Sequence, residues 1–132
     1  RGRAARKRNG MIAGVGCDLI EIERGKKACE KEAFLSRVFT DEERRQAGGR
    51  PSVLAGTFAV KEAVVKVLGT GFREFGPPEV EVLRDSLGKP YVKLYGKAKE
   101  TADSRGIFRI EVSISDTKDH AMAFAVGEGE RK

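Results

Sequence analysis

From residue 11 onward the chain alternates between segments that can be buried and short polar or glycine-rich breaks, and this pattern predicts the elements. Residues 11–20 are apolar, interrupted by Gly14 and Gly16, with Asp18 near the end. They read as a strand whose glycines imply the close approach of another backbone or a ligand. Residues 21–32 are polar and read as an exposed helix. Thr40-Asp41-Glu42-Glu43 has the form of a capping box that opens a short helix, ended by Gly48-Gly49. Pro51-Ser52 starts the next helix, which runs to Leu68 and stops at Gly69-Thr70-Gly71. Residues 79–84 and 91–95 read as strands joined through a Gly-Lys-Pro turn. Residues 96–105 read as a helix, 107–115 as a half-buried alternating strand, and 121–126 as a last strand after a turn at 116–119. The order predicts an α+β domain: a mainly antiparallel sheet packed with one long buried helix and shorter helices.

The long helix carries most of the information. At about 100° per residue, Val53, Val60, Val64 and Val67 form one stripe, while Ala55, Phe58 and Ala59 fall nearly opposite. A helix that is apolar on two faces needs more cover than one sheet provides, and the second face is expected to be covered at a subunit boundary. Glu62 and Lys66 sit on that second face, four residues apart. They read either as an internal ion pair or, with the Gly69-Thr70-Gly71 turn just below them, as part of a phosphate site lined by backbone amides. Asp18 alone would be a turn or cap residue. Combined with Glu62 it gives two carboxylates from different elements beside a lysine, a donor set suited to a hard cation with a phosphate-bearing ligand. Magnesium is bound in this way, through one or two carboxylates plus substrate phosphates. The single His leaves no zinc or iron cluster.

Composition narrows the classes. A length of 132 residues fits one domain. The net charge of +6 is concentrated in residues 1–10, which hold Arg1, Arg3, Arg6, Lys7 and Arg8 and no acid; without those five, 26 − 5 = 21 basic residues face 20 acidic ones. Residues 1–10 are therefore expected to be a solvated, disordered basic tail and 11–132 a single domain. An RNA-binding module is disfavoured because the body is near neutral and no aromatic stacking pair falls on a strand. Cys17 and Cys29 make no disulfide framework. No apolar run approaches the ~20 residues of a membrane helix, and a cytoplasmic location is expected.

These residues also carry a family resemblance. The segment from Gly14-Val15-Gly16-Cys17-Asp18 to Ile22 resembles the opening of the bacterial holo-[acyl-carrier-protein] synthases. Phe58-Ala59-Val60-Lys61-Glu62-Ala63-Val64-Val65-Lys66, running on to Gly69-Thr70-Gly71, resembles their second signature. Gly88-Lys89-Pro90 and Val112-Ser113-Ile114-Ser115 resemble the third and fourth patches, so the likeness spans residues 11–126. It implies a phosphopantetheinyl transferase-like fold and transfer of 4′-phosphopantetheine from coenzyme A to a serine of apo-acyl carrier protein, releasing 3′,5′-ADP, in support of fatty acid biosynthesis. It further implies magnesium held by Asp18 and Glu62 and catalysis by Asp18, Glu62 and Lys66. Lys66, Gly69, Thr70, Gly71, Lys89, Pro90 and Ser113 would contact the coenzyme, and Arg24 and Arg37 would contact an acidic carrier protein. Family members are homotrimers with sites between subunits.

The sequence departs from the family at Glu111, where a histidine usually precedes the Val-Ser of the late strand. This permits a second reading, a non-catalytic coenzyme-A-binding scaffold. His120 reads as a surface turn residue. Lys61 reads as a solvated helix lysine or, by resemblance, as a group with a direct role.

Overall fold

A computed structural model describes residues 10–130. The expected tail lies outside the described residues except for Gly10, which opens the first strand. The elements are β1 (Gly10–Glu21), α1 (Ile22–Ala28), α2 (Glu32–Val38), α3 (Asp41–Ala47), α4 (Pro51–Leu68), a 3-10 turn (Pro77–Glu79), β2 (Val80–Arg84), β3 (Pro90–Leu94), α5 (Gly96–Ser104), β4 (Ile107–Asp116) and β5 (His120–Glu130). The α+β class and the antiparallel pairing hold, but the strands divide into two sheets. One has three strands in the order β1-β5-β4, and the other is the β2-β3 hairpin.

Two local expectations change. The helix read over residues 21–32 is two helices, broken at 29–31, and α2 continues the chain to Val38. The break turns Phe34, Val38 and Phe39 onto Leu54 and Phe58 of α4, forming a second small core. Phe34 meets Phe58 and Phe39 with ring centroids 6.3 Å apart in each case. The second apolar face of α4 is thus covered within the chain: Ala55 and Ala59 are buried, and Gly25 of α1 packs over Ala55. Phe58 on the same face stays half-buried and lines an open cavity with Glu62.

The main core forms where α4 crosses the three-stranded sheet. β5 presents Ala121, Ala123, Ala125 and Gly127 inward, all buried, and β1 presents Gly14 and Gly16. With so little side chain between them, helix and sheet backbones nearly touch. A methyl group at Gly14 would lie 3.0 Å from the Val67 carbonyl oxygen, and one at Gly127 would lie 2.5 Å from Val67 Cγ1. At Gly16 a methyl would overlap the Ala63 carbonyl oxygen. The β1 glycines therefore admit another backbone. α4 ends at Gly69, whose φ of 77° places it in the left-handed region, with its amide donating to the Val65 carbonyl.

Gly16→Ala tests this contact. A Gly→Ala change at an unstrained extended position ordinarily stabilises by about 0.4–1 kcal/mol. Here it should cost about 1–3 kcal/mol or more through overpacking, measured by chemical denaturation. A neutral or stabilising result would place α4 farther from β1.

Candidate active site

Alternation along β1 turns Gly14, Gly16 and Asp18 toward α4. Asp18 lies two residues beyond the glycine contact and so arrives beside the last turns of the helix. Lys66 Nζ donates to the Cys17 carbonyl at 2.7 Å and lies 3.8 Å from Asp18 Oδ1. Glu62, one turn earlier on α4, shares a cavity of about 650 Å³ with Asp18. Lys66 therefore closes on Asp18, and an internal Glu62–Lys66 pair is not what forms.

The electrostatics of the pair are uncompensated. Burial pushes the Asp18 carboxyl above its ordinary range, against Lys66 and the Leu19 amide, which pull it down. Burial likewise pushes Glu62 up, the Asp18 charge pushes it further, and Lys66 opposes both. Two mutually repelling carboxylates answered by one half-exposed lysine leave a site short of positive charge. Among the described residues no group of three or more His, Cys, Asp or Glu comes together. The protein thus offers two oxygen donors, which suits a magnesium ion that fills its remaining positions with water and substrate phosphate.

Away from the carboxylates and from the polar Glu21, Arg24 and His120, the cavity wall is apolar, with Leu54, Ala55 and Phe58 of α4, Phe34 and Phe39 among its residues. Arg24 stands at its rim, highly exposed and 3.8 Å from Glu21. Arg37 lies on α2 over the Phe34 ring, 5.7 Å from its centroid, in a neighbouring cavity with Lys26, Lys27 and Lys31. The Gly69-Thr70-Gly71 turn lines a separate opening of about 410 Å³ with Arg73 and Glu74, and Thr70 Oγ1 donates to the Gly71 carbonyl at 2.9 Å.

Lys89, Pro90 and Ser113 do not line the Asp18–Glu62 cavity. Lys89 is exposed 3.5 Å from Glu111, which also lies 3.7 Å from Arg109. Ser113 is exposed on β4, in register with Phe124. His120 is exposed beside the β4–β5 turn, as expected, whereas Lys61 stands elsewhere than its sequence context suggests. His120 opens β5 opposite Glu21 and reaches the cavity, which needs the β4–β5 turn to be seen. Lys61 is neither solvated nor at the ligand site: its side chain is fully buried against Glu43.

Residues 14–125 match the model of the 4′-phosphopantetheinyl transferase superfamily. The chain belongs to this family. It is 51% identical over 118 residues to the holo-[acyl-carrier-protein] synthase of Lachnoclostridium phytofermentans, covering 89% of this chain and 97% of that one. It is 51% identical over 120 residues to that of Alkaliphilus metalliredigens, covering 88% and 98%. Its fold is similar to the Plasmodium yoelii acyl carrier protein synthase solved with ADP bound, at TM-score 0.83 and 32% identity, covering 93% and 99%. It is also similar to the Helicobacter pylori synthase solved with coenzyme A, at TM-score 0.77 and 29% identity, covering 86% and 98%. Family membership makes the chain a transferase and sets aside the scaffold reading.

Asp18→Asn and Glu62→Gln each remove one of two repelling charges, so neither should lower the unfolding temperature of the metal-free protein near neutral pH. Both should abolish the rise in unfolding temperature on adding magnesium with coenzyme A, and lower turnover by at least ~10²-fold. A variant that keeps the magnesium response would remove that residue from the site.

Proposed function

We propose that this enzyme transfers the 4′-phosphopantetheine group of coenzyme A to a serine of apo-acyl carrier protein, releasing 3′,5′-ADP, with magnesium as its metal and fatty acid biosynthesis as its setting. The observation that carries the reading is the Asp18–Glu62 pair with Lys66 alongside, at the end of α4. Bound magnesium would supply charge neutralisation for the pyrophosphate and the departing 3′,5′-ADP. Asp18 and Glu62 would hold it. Lys66, tethered by the Cys17 carbonyl, adds a fixed positive charge for the pyrophosphate. The Gly69-Thr70-Gly71 turn offers backbone to the coenzyme. The carrier serine must lose a proton, and a Glu62 oxygen not bound to the cation can accept it. Arg24 and Arg37, with Lys26, Lys27 and Lys31 set among Glu23 and Glu30, put basic side chains along α1 and α2 for contact with an acidic carrier protein. Among the described residues no helix is long and apolar enough to cross a membrane; use of coenzyme A and a carrier protein favours a cytoplasmic enzyme.

The working unit is a homotrimer with sites shared between subunits. The face that supports this is the outer side of the three-stranded sheet. β1 and β5 carry their small residues inward and their large ones outward: Val15, Leu19, Met122 and Phe124 are 54%, 65%, 44% and 43% exposed. Leu19 pairs in register with Met122, and Cys17 with Phe124, so these side chains form one continuous apolar patch. Ser113 lies on the same face, beside Phe124. A heterologous ring contact through this patch would bring Ser113 and the Lys89 turn to a neighbour's site rather than to their own. Lys89 is flanked by Glu111 where the family has histidine, and the cation would meet the coenzyme in place of that ring.

The test of the activity is the intact mass of an apo-acyl carrier protein after incubation with coenzyme A and magnesium. Gain of one phosphopantetheine group, dependent on magnesium, is expected; an unchanged carrier mass would refute the reading. For the assembly, Leu19→Asp or Phe124→Asp should yield a folded monomer by light scattering that loads carrier poorly. Mixing Glu62→Gln chains with Lys89→Ala chains should recover activity if sites are shared. Wild-type protein that is monomeric and fully active at nanomolar concentration would overturn the trimer.

A further inference from the structure

We propose that the buried Lys61–Glu43 ion pair is a positioning device that fixes the rotation and register of α4, and through it the direction in which Glu62 faces Asp18; this rests on the magnesium reading above. Lys61 has no proton left for a ligand. Its ammonium donates to the Pro77 carbonyl at 2.9 Å and the Val80 carbonyl at 2.7 Å, and meets Glu43 Oε2 at 2.8 Å. Glu43 is equally committed, accepting from the Thr40 amide at 2.8 Å and the Val82 amide at 2.7 Å. Thr40 Oγ1 donates onward to Glu81 at 2.6 Å, and the Tyr95 hydroxyl donates to the same carboxylate at 2.9 Å. One lysine thus ties α4 to the 3-10 turn, to β2 and to the capping box of α3.

The reason for a polar anchor lies on the opposite side of the helix. There the sheet gives α4 mostly small residues, Gly14, Gly16, Gly127 and the alanines of β5, with Ile114 of β4 against Gly56 as a large side chain on that side, so β1 and β5 offer little side chain to resist rolling or sliding. A slip of one residue would rotate Glu62 by about 100° and shift it about 1.5 Å along the axis. Burying an ion pair generally contributes little stability over apolar residues of the same size. A group whose bonds are directional can instead specify one register among several that pack equally well. Lys61 precedes Glu62 directly, so the register it sets is transmitted to the metal ligand with no intervening residue.

The experiment uses the 132-residue chain with both partners replaced by neutral groups of similar size, Glu43→Gln with Lys61→Met. Magnesium chloride is titrated at saturating coenzyme A while the unfolding temperature is followed, and loading kinetics are measured on the same samples. Positioning predicts a folded double variant whose half-saturating magnesium rises by about tenfold or more. It also predicts a lowered kcat, with the KM for carrier protein within about twofold of wild type. Ile107→Val, which lowers stability at a distance from the site, should leave the magnesium titration unmoved. If the double variant does not fold, Glu43→Asp keeps the charges but shortens the arm by one methylene, and the same rise is expected. A folded variant that titrates like wild type would overturn the proposal and leave the pair a structural bond only. Wild-type protein without any magnesium response would instead remove the metal reading on which it stands.

Discussion

The contact of α4 with the backbone of β1 is the constraint on which the rest of this structure depends. Gly16 lies against the Ala63 carbonyl so closely that no side chain fits between them. Because β1 touches the helix there, Asp18, two residues further along the strand, must emerge beside Glu62 and Lys66. A larger residue at position 14 or 16 would lift the strand by the thickness of a side chain and open the carboxylate pair. The alanines of β5 extend the same close seam across the sheet. The packing that makes the core dense is therefore also what assembles the site.

The enzyme uses charge in two opposite ways along one helix. At Lys61 every proton has an acceptor and every Glu43 oxygen has a donor, and no buried side-chain polar atom among the described residues lacks a partner. That network is closed, and it holds secondary elements together. One residue further on, Asp18 and Glu62 repel each other, with Lys66 as their partial answer. That site is left short of positive charge.

The sheet shows the same division between its faces. Its inner face carries small residues, which let the helix come close, and its outer face carries large ones that nothing among the described residues covers. Inverting the usual arrangement exposes Leu19 and Phe124 while burying glycine and alanine. Glu111 sits at the margin of this outer face between Lys89 and Arg109, so its carboxylate has a cation on either side. Pairs as exposed as these contribute little to stability. Their consequence is for whatever anion approaches the Lys89 turn.

Local signals settled much in advance. The bounds of α4 follow from Pro51 and the Gly69 stop, and the Thr40–Glu43 capping box forms as its spacing demands. Asp18 and Glu62 were legible as a pair because acids are rare on such apolar segments, and the motif spacing around them identified the family. What the sequence could not decide were partners far apart in the chain. Lys66 meets the Cys17 carbonyl across 49 residues and Lys61 meets the Val80 carbonyl across 19. A helical wheel places both lysines on α4 but cannot say which is in solvent, since that depends on what packs against each face. The α1–α2 break hid for the same reason, because its apolar residues become meaningful only against Leu54 and Phe58. Short-range geometry is written in adjacent residues, whereas burial is a property of surfaces that exist only once the chain has folded.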